Sequence, residues 1–230
     1  MLLQAYVWPP ALVRGRKFSI RAFVVLYVGA DGLAGYVATE ALALFAPAMW
    51  GHDAGPDGAG PAGSPHLTNQ SAAQMAAPGE HLTCSVQDLP GEDLADAGWP
   101  GGTRAVMAAV ADVARGLLAV AFRDGALQAK VGDFSPARAV TVPKLLGLDL
   151  LLSAGGPDAE APPRAWLLEV NRHPSMGESY DCARFVKRRV TLDAWALLLR
   201  HGEKAALANS DGSGSRHAWP AEHGCLRRVL

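Results

Sequence analysis

The chain has 230 residues, a formal net charge of −1 and a hydrophobic share of 50%. This length fits one domain with insertions or two small lobes, and near-neutrality gives no global attraction to nucleic acid or membrane lipid. We therefore expect neither as a partner. The three scattered cysteines, Cys84, Cys182 and Cys225, favour reduced thiols and a cytoplasmic setting over a disulfide framework.

The N-terminal segment is predicted to contain a β-hairpin. Residues 18–28 are rich in β-branched and aromatic side chains, residues 30–32 read Ala-Asp-Gly, and residues 33–39 can return as a second strand. Before the hairpin, residues 2–7 fit a short strand that two prolines end.

The stretch that follows carries few periodic signals. Residues 40–46 fit either a helix or irregular structure. Residues 51–65 are rich in Gly, Pro, Ala and Asp, which predicts a disordered surface insertion. Residues 72–102 show no clear period and are predicted to be mostly loop.

Two amphipathic helices are predicted. The first is capped by Thr103, runs to about Arg123 and ends at Gly125. Apolar residues at three- and four-residue spacing mark its buried stripe, namely Val106, Val110, Val113, Leu117 and Val120. The second helix spans residues 184–200, and its expected core residues are Phe185, Leu192, Trp195 and Leu199. From residue 201 to residue 230 the chain turns polar and is predicted to be a flexible tail.

Between these helices, two apolar runs of strand length carry three oxygen ligands. Residues 145–152 contain Asp149, and residues 165–171 contain Glu169 and Asn171. Side chains alternate across a strand, so Glu169 and Asn171 share a face, and Asp149 can lie opposite them if the strands pair. Two carboxylates and an amide oxygen suit Mg²⁺. On these residues alone, two surface acids at strand ends explain the pattern equally well.

Several short motifs occur in one order along residues 1–200, and together they resemble the tubulin–tyrosine ligase-like family. Each motif is weak alone, but the ordered series is specific. The motifs are Gln4-Ala-Tyr6-Val7, Lys17-Phe-Ser-Ile-Arg21, His66-Leu-Thr68-Asn69, Gly147-Leu-Asp149 and Leu167-Leu-Glu169-Val-Asn171 with Pro174-Ser175, followed by Lys187 and Asp193.

The resemblance implies an α+β, ATP-grasp-like fold with antiparallel sheets and packed helices. Residues 1–200 would form a partial domain of this kind, with the N-terminal lobe missing or truncated, because the chain begins near the middle of the family pattern. The implied reaction is ATP- and Mg²⁺-dependent addition of a free amino acid, glutamate being favoured, to tubulin carboxylates through an acyl phosphate. The implied location is the cytoplasmic cytoskeleton, extending at family level to the cilium or axoneme.

The same resemblance assigns roles to individual residues. Gln4, Tyr6 and Val7 would line the adenine slot, while Lys17, Thr68 and Asn69 would contact the nucleotide. Arg21 would face the phosphates as a catalytic cation, since its planar fork of donors matches phosphate oxygens. Asp149, Glu169 and Asn171 would hold Mg²⁺, with Glu169 also counted as catalytic. Lys187 would contact the carboxylate of the incoming amino acid.

Each of these polar residues also has an ordinary structural explanation. Arg21 could extend along the sheet surface to water, and Lys17 could belong to a solvated basic turn. Thr68 and Asn69 could form a simple polar turn, and Lys187 could lie on a solvated helix face.

Two residues depart from the family pattern, Ser19 inside a quoted motif and Leu44 outside the quoted motifs. Ser19 stands where the family usually has Asp, and Leu44 stands where it has an arginine tied to amino-acid binding. A leucine cannot bind a carboxylate. The sequence therefore leaves three readings open: an active tubulin ligase, a catalytically impaired remnant that binds nucleotide or tubulin without turnover, and a ligase for another acceptor.

Overall fold

The computed structural model describes residues 5–29, 32–51, 65–66, 68, 81–124, 143–154, 162–177, 181–210 and 219–230. These residues form an antiparallel α+β fold, as expected. The strands are β1 (Leu12–Val13), β2 (Arg16–Gly29), β3 (Gly32–Phe45), β4 (Thr83–Ser85), β5 (Lys144–Ser153), β6 (Arg164–Asn171), β7 (Glu222–His223) and β8 (Leu226–Arg228). The helices are α1 (Gly91–Asp96), α2 (Gly102–Arg123) and α3 (Asp181–Ser210), with a 3₁₀ turn at Val86–Asp88.

The described strands belong to one sheet with the order β6-β5-β2-β3-β8-β7, to which β1 adds beside β2 and β4 beside β3. Its centre is the predicted hairpin, because β2 and β3 pair from Gly29↔Gly32 to Phe18↔Phe45. The helical or irregular reading of residues 40–46 was wrong, since β3 continues to Phe45. Pairing on both sides, with β2 and with β4, stabilises the extended backbone against the low strand propensity of its alanines.

Strand β2 separates two hydrophobic layers. Its even-numbered side chains from Phe18 to Leu26 pack with α1 and α2, whereas Phe23, Val25 and Tyr27 pack with α3 on the opposite face. All of these side chains are buried. The alternation follows from the strand period of two, which sends neighbouring residues to opposite sides of the sheet.

Helix α2 has the predicted length but a different buried stripe. Val106 and Val110 are buried as expected, but the stripe continues through Ala114 and Leu118, and Val120 is exposed. The predicted cap was wrong: the helix begins after Gly101, and the Thr103 hydroxyl donates to the Val86 carbonyl. By length and composition alone α2 could also cross a membrane, but its buried stripe packs on the sheet.

Helix α3 is longer than predicted and buries a different face. The four residues expected in the core, Phe185, Leu192, Trp195 and Leu199, are exposed. The sheet instead receives a stripe of smaller and branched side chains, which are Ala183, Val186, Val190, Ala194 and Leu197. Both stripes have helical spacing, so the period alone could not distinguish them.

The predicted flexible tail was wrong where the structure describes it. Helix α3 extends to Ser210, and β8 pairs with β3 through Tyr36↔Arg228 and its neighbours. Trp219 is buried and stacks on His201, with ring centroids 3.7 Å apart. Tyr36 donates to the Pro220 carbonyl at 2.6 Å. The C-terminal residues 219–230 therefore form part of the sheet and its core.

Other segment predictions had mixed outcomes. Residues 72–102 were not mostly loop in their described part, which contains β4, the 3₁₀ turn and α1. Residues 5–7 are not a strand, and residues 1–4 lie outside the described chain, as do most of the predicted insertion and Gly125. The division into a partial domain and the absence of an N-terminal lobe stay predictions.

Candidate functional site

A polar cavity of about 440 Å³ opens on the face of the sheet that α3 covers farther along. It lies over neighbouring positions of β2, β3, β5 and β6. Five residues that the sequence singled out for nucleotide or metal binding line it together, namely Arg21, Thr68, Asp149, Glu169 and Asn171. The remaining lining residues are Ser19, Leu44, Leu168, His173 and Ser175.

A bulge in β6 brings the two carboxylates together. Leu150 pairs with Leu167, but Asp149 pairs with Glu169, so Leu168 is an extra residue in the edge strand. Regular pairing would place Leu168 opposite Asp149 and turn Glu169 toward the α2 side of the sheet. The bulge therefore directs Glu169 into the cavity, a use of bulges that is common beside functional sites.

Arg21 and Asp149 form a forked ion pair across β2 and β5. Arg21 Nε donates to Asp149 Oδ1, and its Nη2 donates to Oδ2 at 2.7 Å. The bond to Asp149 raises the pKa of Arg21, which stays charged. Gly147 leaves room for this geometry, because a Cβ there would lie 3.2 Å from Arg21 Cδ and 3.0 Å from Pro174 Cβ. The site thus has a fixed cation close to its carboxylates.

Glu169 is exposed at the cavity mouth, and its pKa is raised by a hydrogen bond and by charge repulsion from Asp149. Two ionised carboxylates within hydrogen-bonding reach repel each other and destabilise the fold unless a proton or a cation lies near them. Asn171, opposite Gly147 two residues farther along β6, adds an amide oxygen to the same cavity. This set of oxygen donors fits a hard divalent cation such as Mg²⁺. Groups of three or more His, Cys, Asp or Glu side chains suited to a metal do not occur among the described residues.

Lys17 lies two strand positions beyond Ser19, on the same side of β2 as Arg21. Its ammonium is buried and donates to the Tyr6 hydroxyl at 2.6 Å and to the His66 carbonyl at 3.1 Å. The Tyr6 ring is 4.7 Å from this ammonium, and Trp50 packs beside both Tyr6 and His66. Burial lowers the pKa of Lys17 to about 8. Lys17 is therefore not the solvated turn residue of the alternative reading.

The remaining predicted residues differ in how well they are placed. Val7 is half-buried near Tyr6 in sequence, while Gln4 and Asn69 lie outside the described residues. Lys187, on α3, is buried and donates to the Gly177 carbonyl at 2.8 Å. Burial, and then the charge of Arg21, lower the pKa of Lys187. Lys187 does not line the cavity.

Sequence reasoning assigned no role to three cavity residues, Leu168, His173 and Ser175, and missed one relationship. Leu168 and Ser175 stand inside the quoted motif and His173 lies between its two parts, so their position in that motif was the available signal. The relationship is that Ser19 and Leu44, the two departures from the family pattern, are cross-strand partners in β2 and β3. An acidic and a basic position of the family are therefore neutral together in this chain.

Comparison with known proteins identifies the family. The family model described as "Tubulin-tyrosine ligase family" matches residues 1–199, which include every residue of the cavity. Curated proteins give no match. Because the matched region covers most of the chain and its motifs converge on one cavity, the chain belongs to the tubulin-tyrosine ligase family.

Proposed function

We propose that this protein is an ATP- and Mg²⁺-dependent ligase that adds an amino acid, with glutamate as the first candidate, to tubulin carboxylates. Membership of the family supports an ATP-dependent ligase of the tubulin-modifying kind. The observation that carries the proposal is the convergence of Arg21, Asp149, Glu169 and Asn171 on one cavity. Microtubules, including those of cilia, are the corresponding location.

The chemistry requires an activated acceptor. A carboxylate is a poor electrophile, so its oxygen first attacks the γ-phosphorus of ATP. ADP leaves as the bond from the γ-phosphorus to the β-phosphate oxygen breaks, and the acceptor becomes an acyl phosphate. The amine of the added amino acid then attacks the acyl carbon, losing a proton, and inorganic phosphate leaves as the amide forms. Both steps gain from cations positioned around the transferred phosphoryl group.

The residues in and near the cavity have different proposed roles in these steps. Arg21 presents a guanidinium to phosphoryl oxygens and is oriented by Asp149. Asp149, Glu169 and Asn171 would hold Mg²⁺, which when bound neutralises phosphate charge. Lys17, about 13 Å from Arg21 along the strand at 3.3 Å per residue, offers a second cation toward the Tyr6 end of the site. Lys187 would bind the carboxylate of the amino acid.

Ligation of labelled amino acids to purified tubulin tests this proposal. We expect Mg²⁺- and ATP-dependent incorporation of glutamate that exceeds incorporation of tyrosine or glycine. Glu169→Gln should lower incorporation at least 100-fold, because the site loses a negatively charged ligand for Mg²⁺. Equal incorporation by the unchanged chain and Glu169→Gln would contradict the proposal.

A second candidate function is binding of nucleotide or tubulin without turnover. It is favoured by the neutral Ser19–Leu44 pair, which leaves the wall of the cavity without an arginine for the amino acid. The double substitution Ser19→Asp with Leu44→Arg would place opposite charges across the two strands. If the chain binds ATP but ligates nothing, and the double variant ligates, the second function is correct. Ligation by the unchanged chain would exclude it.

A further inference from the structure

Helix α3 carries a second apolar stripe on the side away from the sheet. Its members are Phe185, Leu192, Trp195 and Leu199, which are 62%, 57%, 46% and 64% exposed. Single exposed apolar residues are ordinary on a protein surface, but four large ones on one stripe mark an interaction site. We call these four residues the outer stripe.

The spacing of the outer stripe matches a helical partner. Its residues are separated by seven, three and four positions, and Arg188 completes the a-d-a-d-a series of a heptad. At 3.6 residues per turn the series occupies a sector of about 80°, on the side opposite Val186, Val190 and Ala194. A second helix can lie along such a seam, as in helix-in-groove recognition.

The charges beside the outer stripe indicate which helix fits. Between residues 181 and 202 its exposed charged neighbours are four arginines and one acid, namely Arg184, Arg188, Arg189, Arg200 and Asp181. Arg189 also bonds Glu40 at 2.6 Å on the side toward β3. A second copy of this chain would bring arginines against arginines, and like charges across an interface disfavour pairing. A partner with acidic flanks would meet arginines near both ends of the seam, at residues 184–189 and at Arg200.

We propose that the outer stripe of α3 is the docking site for an acidic amphipathic helix of a partner protein. The partner's apolar heptad residues would cover Leu192, Trp195 and Leu199, and its carboxylates would face the arginines. This interaction uses the side of α3 away from the nucleotide cavity and does not depend on the proposed ligase activity.

The test is calorimetric titration of the full chain with two helical peptides of about three heptads. Both carry leucines at the a and d positions, and their e and g positions are glutamate in one peptide and lysine in the other. We expect saturable binding of the glutamate peptide, at least 10-fold tighter than binding of the lysine peptide and weaker at high salt.

Two variants locate the site. The double substitution Leu192→Ser with Leu199→Ser should lower the affinity for the glutamate peptide at least 10-fold. Val120→Ser, which removes an exposed apolar residue from α2, should leave that affinity unchanged. Circular dichroism must show equal helix content in both variants. Equal affinity for the two peptides, no binding, or equal loss in both variants would overturn the proposal. Self-association that Leu192→Ser with Leu199→Ser abolishes would also overturn it, because the occupant would then be a second copy.

Discussion

The two halves of strand β2 differ on one face of the sheet. Toward its start, Lys17, Ser19 and Arg21 point to the cavity and its Tyr6 end, and toward its end, Phe23, Val25 and Tyr27 point into the core beneath α3. The backbone and the alternation are continuous through both halves. The other face is apolar from Phe18 to Leu26, where helices α1 and α2 cover it.

The difference shows why the polar cavity lies at one end of this sheet face. Helix α3 covers only one end of this sheet face, and the side chains of β2 change from apolar to polar where that cover ends. A charged residue under α3 would lose its hydration without a partner, whereas Arg21 keeps an ion pair and access to water. The boundary between core and site therefore lies between Arg21 and Phe23.

The largest effect should come from removing a side chain at the covered end. Phe23→Ala leaves a cavity beneath α3 and should lower the free energy of unfolding by about 3–5 kcal/mol. The matched change at the open end, Ser19→Ala, should alter it by less than about 1 kcal/mol. Urea unfolding of both variants measures this contrast. Similar losses in the two variants would mean that the two ends do not differ as described.

Lys17, at the open end, should make the free energy of unfolding depend on pH in the alkaline range. With a pKa of about 8 in the folded chain and 10.5 as its ordinary value, Lys17 is neutral when folded and protonated when unfolded between these limits. The unfolded state then binds more protons, so stability should rise by about 2–3 kcal/mol from pH 8 to pH 10.5. Lys17→Met should remove this rise. Nucleotide affinity should fall above pH 8, as the cation is lost.

Neutralising the two carboxylates of the cavity, one at a time, should have different effects on the free energy of unfolding. Asp149→Asn deprives Arg21 of its partner and should lower the free energy of unfolding by about 1–3 kcal/mol. Glu169→Gln removes repulsion and should leave stability unchanged or slightly raised near pH 7. A raised pKa for Glu169 means that stability falls as pH rises above its ordinary value of 4.5, and Glu169→Gln should lose that decline. Thermal unfolding from pH 4 to pH 7 checks both expectations.

The last contrast, whose single effects include the smallest expected change, compares two glycines at the covered end. Gly224 has φ +55°, and a Cβ there would collide with the Asp193 carboxylate, which accepts from the Cys225 amide at 2.7 Å. Gly224→Ala should therefore destabilise by about 1–3 kcal/mol. Gly202→Ala, within α3 with open space around it, should stabilise by about 0.5–1 kcal/mol. Denaturant midpoints of the two variants would have to shift in opposite directions.

Sequence reasoning was strongest where period and polarity agreed. The β2–β3 hairpin and the β5–β6 pair follow from apolar runs of strand length, and Asp149 faces Glu169 as expected. The Leu168 bulge and the Ser19–Leu44 pairing depend on register, which no local pattern specifies. The buried side of α3 was misassigned because two stripes share the helical period, and β7 and β8 are too short to leave a signal.

The most direct test of the central claim is calorimetric titration of the folded chain with a non-hydrolysable ATP analogue, with and without Mg²⁺. The open end of the β2 face should bind the analogue in a Mg²⁺-dependent manner, and Glu169→Gln should abolish that dependence while leaving the thermal unfolding temperature unchanged. Absence of binding by a folded chain, or equal Mg²⁺ dependence in Glu169→Gln, would contradict the assignment of this cavity as a nucleotide and metal site.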